Sequence, residues 1–160
     1  MGSEPMATAP LLVEEALNRA LAGDPHGGGL LLAPLIEDSH RERFALCAML
    51  ATAATYDTVQ ARPGGWFVVD VEDTRTGRPG SLDDLPPDVR FAASFCAAWA
   101  SNNHKAAQAL FDGLAADTDT DTEAGVARIV DGVLALYGMA IATVRALVEK
   151  KRVNPTQEGN

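Results

Sequence analysis

Long apolar runs, cysteines, aromatics and basic residues are all in short supply in this chain. No stretch approaches the ~20 consecutive apolar residues that span a bilayer, so no membrane crossing is expected. Two cysteines, Cys47 and Cys96, are too few for the disulfide framework of a small secreted domain. Both lie in alanine-rich, helix-patterned runs, FALCAML and FAASFCAAW, and are expected to be buried free thiols. The 13 basic residues face 22 acidic ones, a formal charge of −9 at pH 7. Such a surface repels phosphate backbones and anionic lipid, which argues against nucleic-acid and membrane partners. The opening MGSEPMATAP has neither the basic nor the apolar region of a signal peptide. A soluble, cytoplasmic protein is the expectation.

Catalytic and metal-binding signatures are missing too. No His-Glu-x-x-His, Cys-x-x-Cys or Gly-x-Ser-x-Gly pattern occurs. The glycine run Gly27–Gly29 follows no strand and precedes no Lys-Ser or Lys-Thr pair, so it reads as a flexible joint, not a phosphate loop. The acidic run DTDTDTEAG, Asp117 to Gly125, has ligand spacing at Asp117, Asp119 and Asp121. A calcium loop from Asp117 would, however, put Thr122 where glycine is needed and Arg128 where the bidentate glutamate belongs. Thr120 and Glu123 instead have capping-box spacing, so the run reads as an acidic helix start. No metal and no cofactor is expected. Asp70, Glu72 and Asp73 read as turn chemistry, and Lys150, Lys151 and Arg152 as cations complementing a helix C-terminus. His40 and Cys47 share a helix face but stand about 10 Å apart, too far for one metal.

What remains is helix signal. The fold class expected is mainly α: a helical bundle around a long C-terminal helix, with one small β-strand or hairpin insertion near residues 66–82. A flexible tail is expected over 1–10, a single helical domain over 11–153 and a second tail over 154–160. Helix periodicity begins at Leu11 and stops at Gly23-Asp24-Pro25. A second helix is expected over Asp38–Ala61, with Ile36, His40, Phe44, Cys47, Ala51, Ala54 and Thr58 facing inward. WFVVDV, Trp66 to Val71, reads as a strand that needs a partner within the chain or in a second copy. Pro86-Pro87 opens a helix carrying Phe91, Phe95 and Trp99, and SNNH separates it from a shorter one carrying Ala107 and Phe111. The hairpin from Asp88 to Ala116 resembles a tetratricopeptide unit in the spacing of Ala107 and Phe111. It departs from it at Phe95 and Asp119 and has no second copy in the chain, so no function is carried over.

The last helix is expected from about Thr122 to Arg152. Val126, Val130, Val133, Tyr137, Ala140, Val144 and Leu147 form its apolar seam, and Ile129, Leu136, Ile141 and Val148 widen it. Gly132 and Gly138 would let neighbouring helices approach closely. Two functions fit these observations. One is a non-enzymatic adaptor or regulator working through protein–protein contact, a homodimer or a complex with another protein. Its interface would use Trp66, Val68 and the seam residues Val126, Val130, Val133, Tyr137, Val144 and Leu147. The other is a small-ligand binder or enzyme with a pocket near His40, Phe44, Phe95 and Trp99.

Overall fold

The widest apolar stripe in the sequence becomes the longest helix. In the computed structural model, residues 4–116 and 123–153 are described. They form α1 (Glu4–Leu21), α2 (Pro25–Leu31), α3 (Ala33–Ile36), α4 (His40–Ala54), α5 (Tyr56–Ala61), α6 (Pro87–Ala100), α7 (His104–Ala116) and α8 (Glu123–Val153), with a 3₁₀ turn at Leu82–Asp84. The 31 residues of α8 span about 46 Å at ~1.5 Å per residue. Ile129, Val133, Leu136, Tyr137 and Ala140 on one face of it are buried. That face packs along α4 and α6, with α1, α5 and α7 beside them. The architecture is therefore a mainly α bundle built on its C-terminal helix. Asp117, Asp119 and Asp121, and the expected cap Thr120, lie outside the described residues.

Small residues set how closely the helices approach. A Cβ on Gly132 would stand 3.1 Å from the Phe91 ring and 3.3 Å from Leu114, so α6 and α7 come close to α8 there. Gly138, expected to do the same, faces open space. By length and composition alone, Val126–Val153 also suffices to cross a membrane. A count of uninterrupted apolar residues misses this, because isolated charges interrupt the run.

Two N-terminal expectations change. α1 begins at Glu4, not Leu11. Ala9, Val13, Ala16 and Ala20 form its buried face, and small Ala9 next to Pro10 hides that periodicity in the sequence. Pro10 lies exposed inside α1, where its missing N–H forfeits one intrahelical bond. The glycine run is not a joint: Gly27, Gly28 and Gly29 lie within α2, which Asp24 caps by accepting from Gly27 N at 2.9 Å. A Cβ on Gly28 would stand 2.2 Å from the Tyr137 hydroxyl oxygen and 2.3 Å from the Ala16 carbonyl oxygen. Glycine here is a packing requirement between α1, α2 and α8.

The single helix expected over Asp38–Ala61 is two helices, divided at Thr55. The buried Thr55 hydroxyl donates to Ala51 O at 2.7 Å, back-bonding that loosens the helical path. Ser39 caps α4 by accepting from Glu42 N at 3.2 Å. Leu46, Cys47, Leu50 and Ala51 face the core, whereas His40 and Thr58 are exposed. The expected inward face is thus kept at Ile36, Phe44, Cys47, Ala51 and Ala54 and lost at His40 and Thr58.

The β insertion is not found. No strand occurs among the described residues, and only an isolated antiparallel bridge joins Glu72 and Pro79. It is flanked by Gly80 N donating to Val71 O at 2.7 Å and Asp73 N to Arg78 O at 2.9 Å. The alternating pattern at Trp66–Val71 does give alternating exposure. Phe67, Val69 and Val71 are half-buried, and Trp66, Val68 and Asp70 exposed. What is missing is a neighbouring strand, and a ladder cannot form without one.

Candidate functional site

Trp66 and Val68 are the most exposed large apolar side chains described, at 83% and 86%. The chain here is fastened on one side only. Phe67 N donates to Ser101 Oγ at 2.8 Å, and Ser101 Oγ donates to Phe67 O at 3.2 Å. The Arg62 guanidinium lies 6.0 Å from the centre of the Phe67 ring. In extended backbone, successive peptide groups point to opposite edges. Phe67 therefore uses the inner edge, and the backbone groups of Trp66, Val68, Val69 and Asp70 have no partner among the described residues. Asp73 is committed to the following turn: its carboxylate accepts from Arg75 N at 2.9 Å, and its carbonyl from Gly77 N at 2.7 Å. The Asp70, Glu72 and Asp73 run is thus turn chemistry at Asp73.

The four residues of the expected pocket are brought together, but as packed rings. Phe44 meets Phe95, Trp99 and Phe111 with centroids 5.7 to 6.2 Å apart. Phe95 is fully buried. His40 lies 4.8 Å from Phe111, and its Nε2 is 2.9 Å from Asp112 Oδ1 on open surface. Asp112 also accepts from Gln108 Nε2 at 2.8 Å. That bond, and then the one from His40, hold its carboxyl below the usual range.

Trp99 also lines a cleft of about 440 Å³. Its Nε1 donates to Thr52 Oγ1 at 2.9 Å, and its ring stacks on His104 with centroids 4.2 Å apart. Thr52, Thr55, Tyr56 and Gln60 form one wall, and Asn102 and His104 part of the other. The sequence reading missed this site because both walls come from interruptions. One is the break at Thr55. The other is the SNNH turn, where Asn102 takes φ 59° and Asn103 caps α7 by accepting from Ala106 N at 3.2 Å. Two asparagines and a histidine just after Trp99 were the available signal.

The seam residues divide. Val133 and Tyr137 are buried in the monomer's own core, Val144 and Leu147 are half-buried, and Val126 and Val130 line a groove of about 290 Å³ with Leu30, Ile36 and Leu134. The Tyr137 hydroxyl lies 3.1 Å from Ala16 O and 3.0 Å from Pro25 O, and shares one proton between the two carbonyls. Burial, and then Asp24, push its phenol above the ordinary value.

Cys47 and Cys96 are buried free thiols. Burial pushes each up to about 12, and each thiol stays protonated near neutrality. Inert structural cysteines have this character, and nucleophilic ones do not. Among the described residues no three His, Cys, Asp or Glu side chains converge as a metal site would require. Comparison with family models, curated proteins and solved structures returns no match.

Proposed function

We propose that this chain is a soluble, cytoplasmic, non-enzymatic adaptor or regulator, and that it pairs with a second copy of itself along the Trp66–Asp70 edge. The carrying observation is the fastening of that segment at Phe67 alone, with Trp66 and Val68 exposed and the backbone groups of Trp66, Val68 and Asp70, which share the outer edge, unpaired among the described residues. Proteins guard open edges with lysine, proline or bulges, because such edges recruit further strands. Residues 66–71 contain no lysine and no proline.

The free groups recur at Trp66, Val68 and Asp70, symmetrically about Val68. A twofold antiparallel pairing therefore sets Val68 against Val68 of the partner subunit and Trp66 against the partner's Asp70. Both edges are then satisfied in the same way, as an isologous contact requires. No like charges meet directly. Near the edge, Arg62, Arg75 and Arg78 balance Asp70, Glu72 and Asp73. The net charge of −9 still opposes association at long range, so added salt should strengthen it.

The strip is short, and the complex belongs to the weak class. Sedimentation velocity into the high micromolar range should show a dimer for the parent chain. Val68→Pro, which removes the central N–H, should be monomeric with an unchanged helical circular-dichroism spectrum. A parent that stays monomeric at every concentration and salt, or a dimer that survives Val68→Pro, overturns the reading.

A further inference from the structure

The geometry points to a second binding site: the cleft between the Thr55 break and the α6–α7 turn takes an uncharged, hydroxyl-rich ring, a neutral saccharide. Its volume of about 440 Å³ lies within the ~300–1,000 Å³ of small-molecule sites. Its lining fixes the chemistry. Among the described lining residues there is no Asp, Glu, Lys or Arg. A phosphate or carboxylate ligand would find no lysine or arginine to pair with, and an organic or metal cation no carboxylate. A wholly apolar ligand would desolvate the hydroxyl and amide groups without replacing their bonds to water, which is unfavourable.

The groups that face the cleft instead suit hydroxyls. The Tyr56 hydroxyl, the Gln60 and Asn102 amides and the His104 ring make no hydrogen bond within the described protein. Each hydroxyl or amide both donates and accepts, as each sugar hydroxyl does. The site is also held in place before a ligand arrives. Thr55 is anchored to Ala51 O, and Trp99 to Thr52 and to the His104 ring. The Trp99 ring is stacked on His104 and runs parallel to Phe95 with centroids 6.1 Å apart, so packing holds it in place beside the cleft.

The test uses the full-length protein and a panel of neutral sugars: glucose, galactose, maltose, cellobiose and trehalose, with glucose 6-phosphate as the charged comparison. Saturation-transfer NMR should show contact with at least one neutral sugar and at least tenfold weaker binding of the phosphate. In a Trp66→Phe background Trp99 is the sole tryptophan, because the chain has two, and the same sugar should shift its emission. Gln60→Ala and Asn102→Gly should each weaken binding at least tenfold. Gln60 is exposed, and glycine keeps the positive φ of Asn102, so both variants should fold, as circular dichroism will show. Absence of transfer to every neutral sugar, equal binding of the phosphate, or binding unaffected by both substitutions overturns the assignment. The oligomeric state of the protein does not enter this readout.

Discussion

The helical body and the excursion at residues 62–86 obey opposite rules. In the body, Phe95, Phe111, Leu46, Leu50 and Leu136 are fully enclosed. In the excursion, Trp66 and Val68 stand in solvent, and from Trp66 to Asp70 only Phe67 has backbone partners among the described residues. The physical reason is the reach of the hydrogen bonds. A helix satisfies its own backbone within four residues and then needs a partner only for its apolar stripe. An extended segment satisfies nothing alone. The body encloses its apolar side chains within one copy of this chain, whereas the excursion leaves Trp66 and Val68 exposed.

Alkali should attack the body first, and this is the largest effect expected. The Cys47 and Cys96 thiols, pushed from 9.0 up to about 12, favour folding while they stay protonated. That stability is fully present below pH 9 and is lost as pH rises towards 12, on the order of 4 kcal/mol for each thiol. Urea denaturation across this window should show the fall. The double variant Cys47→Ala/Cys96→Ala should show a much shallower one, and an equal fall in that variant would refute the cause.

Next in size is a direct contrast of the two regions. Phe95→Ala should cost about 4 kcal/mol, because a fully buried ring leaves a cavity. Trp66→Ser, removing an even larger ring from solvent, should change monomer stability by under ~0.5 kcal/mol. Comparable losses for the two would mean that Trp66 packs against the body after all.

A smaller effect separates two glycines that look alike in sequence. Gly28→Ala should destabilise by about 2 kcal/mol, since the new methyl meets the Tyr137 hydroxyl and the Ala16 carbonyl. Gly138→Ala meets nothing and should stabilise by up to ~1 kcal/mol through helix propensity. Thermal melts of both variants decide this. A neutral Gly28→Ala would show that α2 can shift away from α8.

These contrasts also mark how far the sequence could be read. The span of α8 and the α6–α7 hairpin followed from periodicity and from Pro87, which are local signals. The inward turn of Phe44, Cys47 and Ala51 followed likewise. The α2 helix did not, because three glycines carry no periodicity and their role depends on Tyr137, more than a hundred residues away. The cleft was hidden for a similar reason. Tyr56 and Gln60 meet Asn102 and His104 only once α4 breaks at Thr55, and that break rests on a threonine hydroxyl that is ordinary in sequence. The alternation at Trp66–Val71 was legible, but pairing is a property of two segments and cannot be read from one.

The smallest effect lies where the body meets solvent, at Asp112. Its carboxyl is held below 3.8, first by the Gln108 amide and then by the His40 ring. A depressed folded value means that the contribution to stability is present above the ordinary range and is lost as pH falls through the folded value. The side chain is fully exposed to screening, so the shift itself is the useful observable. A carboxyl ¹³C titration should place the Asp112 midpoint below 3.8. Gln108→Ala and His40→Ala should each raise that midpoint, because the Gln108 hydrogen bond, the His40 hydrogen bond and the His40 charge all lower it. A midpoint that neither substitution moves would refute these contacts as its cause.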